Sequence, residues 1–175
     1  MVAAKFVLYV LLLWLSSGFL QAAQVDANLL SSSSAAKTSI QYLYYTSATS
    51  DLSLDDILAD PAYSHSFQPV QGSKRILFND NKAIWFKARL RNTSKQAGQW
   101  LLEYNFPMVD KLEVYRVDRA SKDIELLNRT GNDYPFNERA LPYRGYVTAL
   151  DFSAEQEFDL YLRVVDAAII PSDIT

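Results

Sequence analysis

Between residues 82 and 106 (KAIWFKARLRNTSKQAGQWLLEYNF) apolar and polar positions alternate with a period of two. Ile84, Phe86, Ala88 and Leu90 alternate with Trp85, Lys87, Arg89 and Arg91. After a polar break, Trp100, Leu102, Tyr104 and Phe106 alternate with Leu101, Glu103 and Asn105. Successive side chains of a strand point to opposite faces, so the pattern predicts two strands, each with an apolar and a wet side. Residues 92–98 (NTSKQAG) have the composition of a turn, and the pair reads as a hairpin in an antiparallel sheet with one face in water.

The same period recurs downstream. Residues 157–165 show it most cleanly, with Phe158, Leu160, Leu162 and Val164 facing in and Asp159, Tyr161, Arg163 and Val165 facing out. Residues 110–118 (DKLEVYRVD) predict a strand that residues 119–122 turn back into 123–127. A long loop follows over 128–144, then a strand over 145–150. Upstream, 40–46 (IQYLYYT) is an aromatic strand and 76–78 a short one. Residues 53–58 form a short helix, with Ser53 capping free N–H groups and Asp55 and Asp56 at the positive end of the dipole. Asp60-Pro61 ends it, and 62–75 is a mostly polar run holding Phe67, Pro69 and Val70. The tail, 167–175, contains the start of a further strand. Six or more strands with a turn every 8–12 residues predict an all-β fold, an antiparallel β-sandwich or jelly roll, with one short N-terminal helix.

Composition narrows the function more than the fold. At 49% hydrophobic, 175 residues suffice for one domain with a proper core. A net charge of −3 leaves no basic field for nucleic acid or an anionic membrane surface. Cysteine is absent, which removes disulfides, thiolate metal sites and thiol nucleophiles. Lys5 precedes the apolar run 6–15 (FVLYVLLLWL), and small residues follow to Ala23. This is the form of a secretory signal, and the run is short of the ~20 apolar residues a membrane span needs. The expected organisation is a signal peptide over 1–23, a flexible lead-in over 24–39 and one exported domain over 40–175.

Two groups of residues are candidates for binding. The wet side of the first strand offers Trp85, Lys87 and Arg89, joined by Tyr161 and Arg163 if their strands are neighbours. A flat aromatic stacks on the C–H face of a sugar ring while planar donors hold hydroxyls or carboxylates; the plainer reading is a Trp shielded by the cationic stems beside it. The second group lies in the long loop, Asp133, Arg139, Tyr143 and Arg144, where the arginines can hold an anion or pair with Asp133 to fix the loop. Catalysis has little support, since His65 is the single histidine and no triad or zinc pattern surrounds it. The Asn79-Asp80-Asn81 turn carries oxygen ligands, but turns have this composition anyway. No enzyme activity, metal or cofactor is expected.

An ordered series of motifs adds a resemblance. It runs from the Ser53-Leu54 helix with Asp56 and Leu58 through Trp85-x-x-x-Arg89-Leu90-x-Asn92, residues 100–104 and Leu112-Glu113-Val114-Tyr115. It continues with Gly131-x-Asp133-x-Pro135-Phe136 and Arg139-x-x-Pro142-x-Arg144, and closes on Tyr161-Leu162-Arg163-Val164. Over residues 40–166 this series resembles the type 2 extracellular domain of seven-transmembrane receptors with diverse intracellular signalling modules. The resemblance implies a carbohydrate-binding-module-like jelly roll on the periplasmic side of a bacterial inner membrane. It implies a small-molecule, carbohydrate-like ligand and a following seven-helix region with a diguanylate cyclase or histidine kinase output. The family's Gly-Asp step reads Gly131-Asn132-Asp133 here, which shifts that loop. The seven-helix region is absent from the chain, so the expectation is either the sensor part of a longer receptor or a free-standing exported form. Membrane contact would then come only through such a downstream region or an uncleaved signal segment. The alternative function is a protein-docking module of a periplasmic or membrane complex.

Overall fold

The computed structural model describes residues 26–31, 40–46, 49, 51–69, 76–77, 82–139, 141, 143–166 and 169–170. The expected signal segment, most of the lead-in and the Asn79-Asp80-Asn81 turn lie outside them. Among the described residues the chain is an all-β sandwich of mostly antiparallel pairs with two short α-helices.

The larger sheet is built on β5 (Ala83–Asn92) and β10 (Glu157–Val165), paired in antiparallel register along their whole lengths. β7 (Lys111–Asp118) lies on the other side of β10, and β8 (Ile124–Thr130) forms the edge beyond it. On the far side of β5 sit β2 (Leu43–Thr46) and β3 (Gln68–Pro69). β1 (Asn28–Leu30) pairs with the end of β5, as the one parallel pairing among the described strands. The smaller sheet is β6 (Gly98–Tyr104) against β9 (Tyr146–Phe152). A two-residue ladder joins β4 (Ile76–Leu77) to β11 (Ile169–Ile170).

The main core fills the space between the sheets. Phe86, Leu90, Phe158, Leu160 and Leu162 of the large sheet meet Leu102, Tyr104, Tyr146, Leu150 and Phe152 of the small one. Phe152 and Phe158 stack across it at 4.6 Å. Each inward set is the one that the alternation of β5, β6 and β10 predicts.

The hairpin expected over residues 82–106 does not form. β5 has neighbours on both sides, β10 on one and β2 and β1 on the other, so β6 has no edge to join. Instead β6 crosses to the second sheet, and its apolar side faces that of β5 across the core rather than lying beside it. Asn92 knits the corner: its side-chain amide donates to Gln96 O and Ser153 O, both at 2.9 Å, and its Oδ1 accepts from Ser94 N.

The lead-in is also partly ordered, against expectation. Asn28 accepts a hydrogen bond from Gln41 N at 2.8 Å, and its amide donates to Gln41 O and Arg89 O. β8 runs to Thr130, three residues into the expected loop, with a bulge opposite Val114/Tyr115.

Two helices cross the outside of the large sheet. α1 (Leu54–Ala59) starts at Ser53, whose hydroxyl accepts from Asp56 N while the Asp56 carboxylate accepts from Ser53 N. This reciprocal capping box satisfies two otherwise free donors. Asp60 ends α1 and caps α2 (Pro61–Ser66), a helix the polar run did not announce. Leu54, Ile57 and Phe67 turn inward and make a second core with Leu43, Ala83, Trp85, Val117, Tyr161 and Val165.

Candidate functional site

The outer face of the large sheet brings one group of expected residues together. Across β5 and β10 the register sets Trp85 opposite Arg163, Lys87 opposite Tyr161 and Arg89 opposite Asp159. β7 extends the rows with Glu113, Tyr115 and Val117. This face is not uniformly wet. The helices close one half of it and leave the other open.

Trp85 belongs to the closed half and is 0% exposed. The expected exposed indole is therefore corrected: α1, α2 and Phe67 supply apolar cover that the alternation within β5 does not reveal. The Trp85 ring lies 6.1 Å from that of Tyr115, and Tyr161 packs edge-on to Phe67. Neither aromatic of the expected site presents a free face to a sugar ring here.

Arg163 is spent on structure as well. Its Nη1 donates to Glu113 Oε2 at 3.0 Å, the Tyr115 hydroxyl donates to the same oxygen at 2.8 Å, and Arg129 pairs with Oε1 at 3.2 Å. Two cations and a phenol thus hold one buried carboxylate, the arrangement that burial of a charge demands. Burial and the Glu113 bond push the Tyr115 hydroxyl above the ordinary tyrosine range.

The open half holds a ring of charges. Arg89 Nε lies 3.3 Å from Asp159 Oδ1 and 3.7 Å from Glu157 Oε1. Arg119 closes the ring, with Nη1 3.1 Å from Asp159 and Nε 3.3 Å from Glu157. Lys87 stands beside them, its Nζ 5.3 Å from the Tyr161 ring centroid. Burial holds the Lys87 ammonium below the usual lysine range, against the opposing pull of Asp159. Three cations face two carboxylates, which leaves one positive charge in excess. Planar guanidinium donors and carboxylate acceptors side by side are suited to a polyhydroxylated or singly anionic ligand.

Asp159, Glu157 and Arg119 were absent from the expected site. Asp159 and Glu157 share the outward parity of Tyr161 and Arg163 on β10, so the alternation could have found them. Arg119 sits in a turn, where periodicity carries no information.

The second group, in the loop after β8, is scattered. Asp133 pairs with Lys111 at 3.6 Å rather than with the loop arginines. Arg139 stacks between the rings of Phe136 and Tyr146, 4.8 and 4.6 Å from their centroids. Its Nη1 donates to Tyr143 O at 3.4 Å, so it fastens the loop instead of awaiting an anion. Tyr143 and Arg144 are exposed. Among the described residues no group of three or more His, Asp or Glu side chains is placed to hold a metal ion.

Comparison with known families gives the class of protein. The family model described as 7TMR-DISM extracellular 2 matches residues 39–174. The chain belongs to this family, the extracellular domains of seven-transmembrane receptors with diverse intracellular modules, which are sensing rather than catalytic units. Such a domain lies on the periplasmic or extracellular side of the membrane. No curated protein matches the chain.

Proposed function

We propose that the chain is the periplasmic ligand-sensing domain of a bacterial signalling receptor, exported by a signal peptide over residues 1–23. It binds a small carbohydrate-like ligand and biases a seven-helix region with a diguanylate cyclase or histidine kinase output. A ligand shifts such a receptor only by its difference in affinity for the two states.

The observation that carries the location is the partly buried ring of Arg89, Asp159, Arg119 and Glu157, with Lys87 beside it. Ion pairs near a surface typically contribute up to about 1 kcal/mol each, so stability alone is a weak reason to gather five charges at one end of this face. A ligand with several hydroxyls and one carboxylate exchanges hydrogen bonds with this ring group for group. A uronic acid or an acidic oligosaccharide has that chemistry.

The test is a thermal-shift panel of neutral and acidic sugars on the full chain. Wild type is run beside Arg119→Gln in the ring and Arg144→Gln in the distant loop. An acidic sugar is expected to raise the midpoint of wild type and of Arg144→Gln but not of Arg119→Gln. Stabilisation that survives Arg119→Gln, or a panel without one stabilising member, would overturn the reading.

A further inference from the structure

Four large apolar side chains gather at one end of the sandwich. Met108 is 63% exposed, Phe136 59%, Tyr143 51% and Leu141 44%. Their backbones are drawn together by one hub. The Tyr146 hydroxyl sits within donating distance of the carbonyls on either side of Met108, Pro107 O at 3.2 Å and Val109 O at 3.3 Å, which share its one proton. Arg139, stacked on Tyr146, also stacks on Phe136 and donates to Tyr143 O. Tyr143 N in turn donates to Leu141 O at 2.8 Å. The exposed side chains therefore project from a fixed platform, and Arg144 stands exposed beside them.

The position of this end matters. β10, the last long strand, finishes at Val165 opposite Lys111, the residue that pairs with Asp133 of the same loop. The chain thus leaves the large sheet at the end that carries the apolar platform, and it belongs to a family of membrane-receptor domains.

We infer that this end rests on the lipid bilayer, with Met108, Phe136, Leu141 and Tyr143 set into the headgroup boundary. Amphipathic rings and aliphatic tips are the side chains that sit at that depth. Arg144 is placed to meet lipid phosphates. Lys111 and Arg139 are offset by Asp133 and the exposed Glu138, so the contact is apolar rather than charge-driven. A second copy of the chain suits the platform less well: a stable protein interface takes about 20–30 residues a side, and four loop side chains supply far fewer. The inference goes beyond the sugar reading and does not depend on it.

Because the chain has no cysteine, single labels can be placed cleanly. Met108→Cys, Phe136→Cys and Tyr143→Cys would each carry an environment-sensitive nitrobenzoxadiazole in the full chain. Leu101→Cys, exposed on the outer side of β6, is the control. Phosphatidylethanolamine–phosphatidylglycerol vesicles with and without spin-labelled lipid are the probe. The expected result is a blue shift at 108, 136 and 143, quenched severalfold by the spin-labelled lipid, with neither at 101. Local depth is read even where the N-terminal apolar run tethers the chain to the vesicle. Aqueous emission at all three sites, quenching equal to that at 101, or a blue shift that needs no vesicles would overturn the inference. The last outcome would place a second copy over the platform.

Discussion

Arg139 lies over the face of Tyr146, its Cζ 4.6 Å from the ring centroid and its Nη2 3.4 Å from the hydroxyl. That hydroxyl also lies 3.1 Å from Asn132 Oδ1, besides the two carbonyls of the 107–109 turn. One side chain rooted in the core therefore ties two surface loops to the small sheet. Burial raises the Tyr146 pKa, so the phenol keeps its proton at neutral pH.

Tyr146→Phe keeps the ring and removes the tie. Losing the one donor that these carbonyls share should cost about 1–3 kcal/mol, read as a lower denaturation midpoint. Faster proteolysis within residues 131–145 should accompany it. A variant as stable and as resistant as wild type would show that the loops hold themselves.

Gly131 is fixed by closeness as well as by conformation. Its φ is +140°, and an added Cβ would come within 2.1 Å of Asp110 O, a backbone atom with little room to give. Gly131→Ala should lose at least about 2 kcal/mol from strain and displacement together. A loss below half a degree in melting midpoint would contradict the geometry.

The capping box gives a pH dependence. The Ser53 hydroxyl, then the Ser53 backbone N–H, hold the Asp56 carboxyl below its ordinary pKa of 3.8. A depressed folded pKa contributes stability that is full above the unfolded value and is lost as pH falls through the folded one. Ser53→Ala should cost about 1 kcal/mol at pH 7, and the difference from wild type should shrink on acidification below pH 4. A difference that stays constant down to pH 2 would remove Asp56 from the account.

Lys87 runs the other way. Its folded pKa is lowered by burial, so holding the ammonium charged at neutral pH costs stability, and that cost is relieved as pH rises through the folded pKa. Lys87→Met keeps the stem over Tyr161 without the charge. Its midpoint at pH 7 should equal or exceed that of wild type, while stabilisation by an acidic sugar falls. A lower midpoint would make Lys87 a structural cation.

Much of the fold was legible because periodicity is local. β10 occupies the residues 157–165 that alternation marks, β7 and β8 return through the turn at 119–122, and Ser53 caps α1. Partnership is not local. Nothing within residues 82–106 distinguishes a hairpin from two strands that face each other across a core, because both need the same alternation. The burial of Trp85 was hidden for a similar reason: the residues that cover it, Leu54 and Ile57 of the expected short helix and Phe67 of the polar run, lie far upstream, and nothing local places them over β5. The β5–β10 pairing, by contrast, makes those strands neighbours and sets Trp85 opposite Arg163 and Lys87 opposite Tyr161, while Arg89 faces Asp159.

The location of the ligand site turns on whether the outer face is divided into a closed apolar half and an open charged one. Trp85 reports this directly. In a full chain carrying Trp14→Phe and Trp100→Phe, Trp85 is the remaining tryptophan of three, and acrylamide quenching measures its access to water. A blue-shifted emission that acrylamide barely quenches until the protein unfolds is the expected result, and it leaves the ring of Arg89, Asp159, Arg119 and Glu157 as the place for a ligand. Quenching as strong as that of free indole in the folded protein would contradict the divided face and return the site to the Trp85 ring.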